Sequence, residues 1–550
     1  MGSPSLAEVY EKICKGMGRE PRPLLSKAME KIDERVSCNE KIILFLEAPT
    51  GYGKSTLSLS LYAALKMGRD DLAQRVIHVL PMRSIGTDLQ ERMRKDIRNL
   101  KAKGFPLREA DVGLQQMHSP GSPMLCKRFV ITTLDTFISC FYKMPAAEIS
   151  KIERYGTSHF EIPRACIYSA VVVFDEFHLY ISSQAAMNGE SKSLTATIAC
   201  IISLLNAGVP VIISTATLPR CIKNLIKDHL ELTGQKDSIE EILPSKEDKN
   251  FVKRDLTVST YVGNVADLIK DLDENKKILV IFNTVSQAVR NYLQLKNMGF
   301  RPVLLHSRLI EKTRRDRLGQ LTDKKGEGLL VVATQVVEAG VDKSFDVLVT
   351  EASSPDSLLQ RAGRVARCGG EGQIYVMPVT EQGAKVYGET IPCQLYRYVE
   401  KEKSIDYNML EIIDNIVKES NVILLDKVYR GFLEDIDSYP SYSIEFAQRV
   451  WNAVCGFVRD GEQVPVIPVQ HVDSGDKIYD HLFCIDDEYF TRLYHLNKIT
   501  EAIYEDGSRK PVEKISVREC IAKQFFRHGI VAVLTDLYDE EVGLYEAVRV

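Results

Sequence analysis

Apolar strings of strand length recur from Lys41 to Ile213, as KIILFLEA, RVIHVLP, RFVITT, SAVVVFDE and VPVIISTAT, with helical periodicity between them. Strands alternating with helices imply parallel pairing through crossover helices. The pattern predicts a doubly wound α/β sheet with its ligands at the carboxyl ends of the strands. A polar, charged stretch from Thr233 to Arg254 reads as a linker, and then the rhythm restarts with KILVIFNT, RPVLLHS, GLLVVAT and FDVLVTE, closing near GQIYVMPV at Gly372–Val379. A second α/β lobe follows from this. Its likeness to the first is architectural, since no strong repeat links the two sequences. The expected boundaries are residues 1–232 for the first lobe, 233–254 for the linker, 255–383 for the second lobe, and 384–550 for a C-terminal accessory domain of mixed helical and strand pattern.

The strand exits carry the chemistry. APTGYGKST at Ala48–Thr56 places Thr50, Gly51, Tyr52 and Gly53 between a buried strand and a helix beginning near Lys54. Glycines allow the loop to curl until its amides and the helix N-terminus face phosphate; Lys54 can reach the β- and γ-phosphates, and Ser55, followed by Thr56, can ligate Mg2+. Ala48 stands where the generic pattern has its first glycine. The strand Val171–Phe174 ends in Asp175 and Glu176, acids that can hold magnesium and orient an attacking water. His178, two residues on, is open between a structural role and a part in coupling to the second lobe. Arg361, Arg364 and Arg367 in QRAGRVAR lie three apart, which on one helix would put them on a single face. The preceding VATQVVEAGVD sets Gly340 and Asp342 at a strand exit, which favours a composite nucleotide site.

Composition narrows the setting. Hydrophobic content of 45% and charged content of 27% are those of a globular protein. The net charge of -4 conceals an asymmetry, because residues 401–550 hold 17 Lys/Arg against 28 Asp/Glu and leave the first 400 residues basic. A basic front suits a polyanion. The twelve cysteines are scattered without a C-x-x-C pair, so neither a zinc site nor a disulfide framework is indicated, and Cys126, Cys140 and Cys166 read as packing residues. No signal peptide or membrane span is read from the sequence, which makes a cytoplasmic protein the expectation.

The motifs resemble the superfamily 2 helicases of DExH type, over roughly residues 40–380. DEFH, TTLDTF at Thr132–Phe137, STATLP at Ser214–Pro219, LLHSR at Leu304–Arg308 and the run FDVLVTEASSPDSLLQRAGRVAR resemble one branch, the CRISPR-associated helicase of type I systems. The resemblance implies two tandem RecA-like lobes with ATP and Mg2+ held by Lys54, Ser55, Asp175, Glu176, Gln360, Arg364 and Arg367. It implies a single-stranded DNA track lined by Arg83, Thr133, Arg308, Thr334 and Gln335, and coupling through His178, Thr215 and Thr217. The basic run Arg92–Lys103 is open between a solvated face and part of that track. Three departures modify the expectation. The roughly 40 residues before the phosphate loop lack the His-Asp pair of the family's nuclease domain, which suggests the helicase-only form with a separate HD nuclease subunit beside the CRISPR surveillance complex. Leu25 in RPLL stands where an adenine-reading motif has glutamine, and Thr215 replaces the serine of S-A-T while keeping the hydroxyl. The alternatives are a DExH helicase of DNA or RNA outside CRISPR immunity, and an ATP-gated nucleic-acid clamp that closes without translocating.

Overall fold

Valine and isoleucine, stiff at χ1 and well fitted to a pleated surface, dominate the segments that become strands. Helices begin where a short polar side chain captures a free amide: Thr133 ahead of Leu134–Phe141, Ser191 ahead of Lys192–Asn206, and Thr284 ahead of Val285–Asn297. Such caps contribute roughly 1 kcal/mol each. The computed structural model describes residues 4–49, 51–81, 83–116, 119–145, 148, 159–180, 191–216, 218–249, 252–323, 328–338, 343–419, 427–438, 444–453, 456–458, 463–473, 478, 480–503, 508–512 and 531–545. The chain divides into two compact units, Met1–Phe251 with Val417–Arg459, and Val252–Ile416 with Asp460–Val550.

The first unit is built on eight strands: β1 (Ile43–Glu47), β2 (Arg75–Leu80), β3 (Val112–Gln116), β4 (Ser119–Pro120), β5 (Phe129–Thr133), β6 (Ala170–Asp175), β7 (Val211–Thr215) and β8 (Ile239–Ile242). Their order is β4-β3-β5-β2-β6-β7-β1-β8, parallel at every pairing except β3 with β4. The register sets Glu47 beside Thr215 and Asp175 beside Ser214, so the exits of β1, β6 and β7 converge at one edge. The polar stretch 233–254 is more than a connection, because it supplies β8 as an edge strand. Its carboxylates are tied down by bridges from Arg35 to Glu240 at 2.6 Å and from Lys227 to Glu241. An edge strand with one open side carries charge that a central strand would not. The tail also enters this unit, where Asp437 on helix Lys427–Ser438 accepts hydrogen bonds from Arg164 at 3.0 Å, Tyr168 at 3.1 Å and Ser203. Cys140 and Cys166 are buried as packing residues, and exposed Cys126 lies with its Sγ 3.7 Å from that of Cys166.

The second unit holds β9 (Arg254–Thr260), β10 (Lys277–Ile281), β11 (Val303–Leu305), β12 (Leu329–Ala333), β13 (Val347–Glu351) and β14 (Gly370–Met377). They run in the order β11-β12-β10-β13-β14-β9, all parallel. Leu395 and Val399 of helix Thr390–Glu402 join its core with Leu279, Ile281 and Leu348. A mixed sheet follows, made of β15 (Gln463–Pro468), β16 (Phe483–Asp486), β17 (Ile499–Ile503), β18 (Arg509–Pro511) and β19 (Val531–Leu534), ordered β16-β15-β19-β17-β18. A short hairpin of β20 (Tyr538–Asp539) and β21 (Gly543–Leu544) comes last. The fold class is therefore α/β, two parallel sheets with a mixed third. Residues after 384 contribute to both units. Among the described residues no helix is long and apolar enough to cross a membrane.

Candidate nucleotide and nucleic-acid sites

The phosphate loop takes the conformation its glycines allow. Gly51 has φ +82° and Gly53 φ +97°, a left-handed region costly for side chains, and Gly53 caps helix Lys54–Lys66. Tyr52 is buried, with its hydroxyl on the Asp248 carboxylate and the Arg22 guanidinium 5.6 Å from its ring centroid. Thr50 lies outside the described residues. Lys54 is buried, its Nζ 3.1 Å from Glu176 Oε1 and 3.3 Å from the Ala48 carbonyl, while Ser55 is half-buried and Thr56 buried on the same first turn.

Glu176 leaves β6 with φ +49°, an uncommon conformation for a residue with a side chain, of the kind that clusters at functional sites. Its Oε1 faces Lys54, and its Oε2 is buried without a hydrogen-bond partner among the described residues. Asp175 beside it is buried, accepting from Ser214 Oγ at 3.0 Å and lying 3.3 Å from His78 Nε2, whose Nδ1 is 2.8 Å from Ser58 Oγ. Burial pushes the Asp175 carboxyl up, but His78, Lys54 and the Ser214 hydroxyl outweigh it and hold the group down to about 2. His78 and Ser58 belong to none of the phosphate-handling motifs read from the sequence. A histidine inside the apolar run RVIHVL was the available signal.

His178 sits with its Nδ1 2.8 Å from Thr215 Oγ1 and 3.7 Å from Glu176 Oε2, and the Thr215 carbonyl accepts the Ala48 amide at 2.9 Å. The acid strand, the phosphate loop and the S-T-A turn are thus one bonded group within the first unit. Thr217 lies outside the described residues.

In the second unit the three motif arginines do not share a helix face. Helix Pro355–Ala362 carries Gln360, which is buried, and Arg361, and it stops before Arg364. Val365 instead bridges to Phe345, and Ala366 turns with φ +46°. Arg361 is fully buried and bonded at each nitrogen: Nε to Glu338 at 2.7 Å, Nη1 to Thr350 and the Glu351 carbonyl, Nη2 to Asn283 and Tyr387. Arg364 donates to the Glu338 carbonyl, and half-buried Arg367 donates its backbone amide to Ser344 Oγ at 2.9 Å. Gly340 and Asp342 lie outside the described residues.

The expected strand-track residues are scattered among local roles. Thr133 caps its helix. Thr334 donates its amide to Leu305 at 3.1 Å, and Gln335 donates Nε2 to the Asn283 carbonyl at 2.9 Å. Arg308 follows β11, its guanidinium 4.2 Å from the Tyr489 ring centroid. Arg83 opens helix Arg83–Ala102, but its side chain lies outside the described residues.

Comparison with known proteins adds to this geometry. Residues 26–225 match the family model of the DEAD/DEAH box helicase, and residues 274–369 that of the CRISPR-associated nuclease/helicase Cas3, C-terminal. The CRISPR-associated helicase Cas3 of Thermoproteus tenax is 27% identical over 368 residues, 66% of this chain and 60% of that protein. The CRISPR-associated nuclease/helicase Cas3 of Methanothermobacter thermautotrophicus is 25% identical over 460 residues, 75% of this chain and 51% of that protein. The chain thus spans little more than half the length of these relatives. In fold it is similar to a crystal structure of T. fusca Cas3 with AMPPNP, with a TM-score of 0.64, 14% identity, and coverage of 98% of this chain and 71% of that one.

Proposed function

We propose that this chain is a Cas3-like helicase of the DEAD/DEAH box kind, as its similarity to those family models and relatives supports, and that it hydrolyses ATP to move along single-stranded DNA in type I CRISPR interference. The observation that carries this reading is the Lys54–Glu176 pair at 3.1 Å, with Asp175 fixed beside it by Ser214 and His78. Lys54 is held by one carboxylate and one carbonyl. A polyphosphate offers the ammonium more negative charge than either, so nucleotide binding exchanges its partner. The Glu176 carboxylate is then released to orient the attacking water. Its Oε2, buried and without a donor among the described residues, can already accept one.

Magnesium fits the donors present. Asp175 is held ionised, Ser55 offers a hydroxyl on the first helical turn, and oxygen ligands of this kind suit the ion. Bound there, it would neutralise charge on the β- and γ-phosphate oxygens. We assign Gln360, Arg364 and Arg367 to the nucleotide, and Arg83, Thr133, Arg308, Thr334 and Gln335 to DNA phosphates, on the family's motifs. Phosphate contacts hold a strand without reading its sequence, as movement along any DNA requires.

The decisive experiment measures ATP turnover by the purified chain with and without single-stranded DNA, and displacement of a strand annealed beside a single-stranded tail. Stimulated turnover with ATP-dependent displacement is expected. Stimulated turnover without displacement would make the protein a clamp, and turnover indifferent to nucleic acid would sink the motor reading. The assignment to CRISPR interference, with a separate HD nuclease as partner, is tested by adding a type I surveillance complex loaded on its target and asking whether the chain is recruited.

A further inference from the structure

The last described segment of the chain closes on the loop that carries Arg308. The Leu544 amide donates to the Arg308 carbonyl at 3.1 Å, and the Arg308 amide donates to His306 Nδ1 at 3.2 Å. His306 Nε2 lies 2.9 Å from the Val542 carbonyl, which can only accept, so Nε2 carries the proton and Nδ1 is the acceptor. Two residues beyond Arg308, the Ile310 amide donates to the Tyr538 hydroxyl at 3.0 Å. Between these contacts stands Gly543, with φ +70°. A Cβ there would fall 2.6 Å from the Arg308 carbonyl oxygen and 3.0 Å from His306 Cε1. Both backbone conformation and space thus require glycine at the point where the hairpin meets the loop. Leu544 and Val542 are buried and anchor it.

The Arg308 side chain meets a second element of the same C-terminal region. Its guanidinium lies 4.2 Å from the ring centroid of Tyr489 on helix Asp487–His495, and Tyr489 is buried. A guanidinium laid on an aromatic face loses few of its donor directions, because its N–H groups lie in its own plane. The edge of that plane remains able to take two phosphate oxygens.

We propose that the C-terminal region positions Arg308 for the DNA strand, with Tyr489 fixing the guanidinium and the hairpin at Gly543 fixing the backbone that bears it. This rests on the reading that Arg308 contacts a strand phosphate. Tyr489 and Gly543 are then positioning residues, and they act only through Arg308.

The test measures binding of a fluorescent oligothymidylate to the full chain across a salt series, for Arg308→Ala, Tyr489→Leu, Tyr489→Phe, Gly543→Ala and the double variant Arg308→Ala/Tyr489→Leu, with thermal melting as a control for folding. Arg308→Ala should lower the salt slope by roughly 0.7. Tyr489→Leu and Gly543→Ala should weaken binding by roughly threefold or more and lower the slope in the same sense, and Tyr489→Phe, which keeps the ring, should restore both. The double variant should bind no worse than Arg308→Ala alone. Should Arg308→Ala lower the slope while Tyr489→Leu and Gly543→Ala leave it at the parent value, positioning is refuted and the strand contact stands. Additive losses in the double variant refute it equally. An unchanged slope in Arg308→Ala removes the strand contact itself, and the proposal with it. If Tyr489→Leu does not fold, Gly543→Ala decides the matter alone.

Discussion

Two cation–carboxylate pairs, one in each unit, look alike in a contact map and differ in everything that matters for function. Lys54 and Glu176 meet at 3.1 Å with side chains 7% and 19% exposed; among the described residues Lys54 has one further weak carbonyl contact, and Glu176 keeps a buried oxygen without a hydrogen-bond donor. Arg361 and Glu338 meet at 2.7 Å with side chains 0% and 3% exposed, and the guanidinium is bonded in addition to Thr350, Glu351, Asn283 and Tyr387. The first pair is loosely satisfied and sits where the backbone is strained at Glu176. The second is saturated. A loosely satisfied pair can change partners when a stronger one arrives; a saturated buried pair cannot without leaving several polar groups bare. One is therefore a working contact and the other a fixture, although both lie in helicase motifs.

The largest expected effect separates the two by kind. Lys54→Ala should cut ATP turnover ~100-fold or more with little change in melting, and Glu176→Gln should still bind Mg-ATP while hydrolysing it ~100-fold or more slowly. Undiminished steady-state turnover in either would overturn the assignment of the exchangeable pair. Arg361→Ala should act the other way. It leaves Glu338 buried beside apolar and polar neighbours without its counter-charge, and should destabilise the second unit by about 3–5 kcal/mol, seen as a drop in melting temperature. Arg361→Lys should rescue little, since an ammonium cannot reach the same spread of acceptors. Melting of Arg361→Ala at the parent temperature would mean that Arg361–Glu338 is no more a fixture than Lys54–Glu176.

Acidification gives a smaller and unit-specific effect. Burial, with Arg317, Arg308 and Arg314 nearby, holds His306 down at about 3, against its ordinary value of 6.5, despite the opposing bond to the Val542 carbonyl. Between those values the unfolded chain binds a proton that the folded unit does not. Stability is thus undiminished above about pH 6.5 and falls as the pH drops below it, by ~2 kcal/mol at pH 5. In His306→Gln, where nothing titrates, melting should decline less from pH 7 to pH 5; an identical decline would reassign the acid sensitivity elsewhere. The smallest effect concerns the first unit's bonded group. Thr215→Val removes the hydroxyl 2.8 Å from His178 and should cost about 1 kcal/mol, read by denaturant midpoint.

Much of this was legible in the sequence, and the exceptions have physical causes. Strings of β-branched residues located the strands of both parallel sheets, and the glycines of the phosphate loop announced their own left-handed turns. The motif acids were legible because they follow a buried strand. Spacing failed at the arginines, because three-residue intervals report a shared face only while the helix continues, and here it ends at Ala362 before Val365 bridges to Phe345. Composition failed at β8, whose glutamates are neutralised by Arg35, Lys223 and Lys227 from other segments. No local pattern could reveal that. His78 was invisible for the related reason that its meaning comes from Asp175 and Ser58, far from it in sequence.

The return of the chain to its first unit has a consequence for synthesis. Asp437, which receives Arg164, Tyr168 and Ser203, is made only after the whole of residues 252–416. At ribosomal speed the first unit must wait on the order of tens of seconds for that partner. During the wait, Arg164 has no Asp437 carboxylate to meet, and the surface of helix Lys192–Asn206 destined for helix Lys427–Ser438 faces solvent and chaperones. Vectorial folding from the N-terminus can raise the parallel sheet, but the unit is finished from behind. A nascent chain stalled after Met1–Phe251 has emerged but before residue 437 is made should therefore present a first unit that is folded in outline and more open to protease than the released protein.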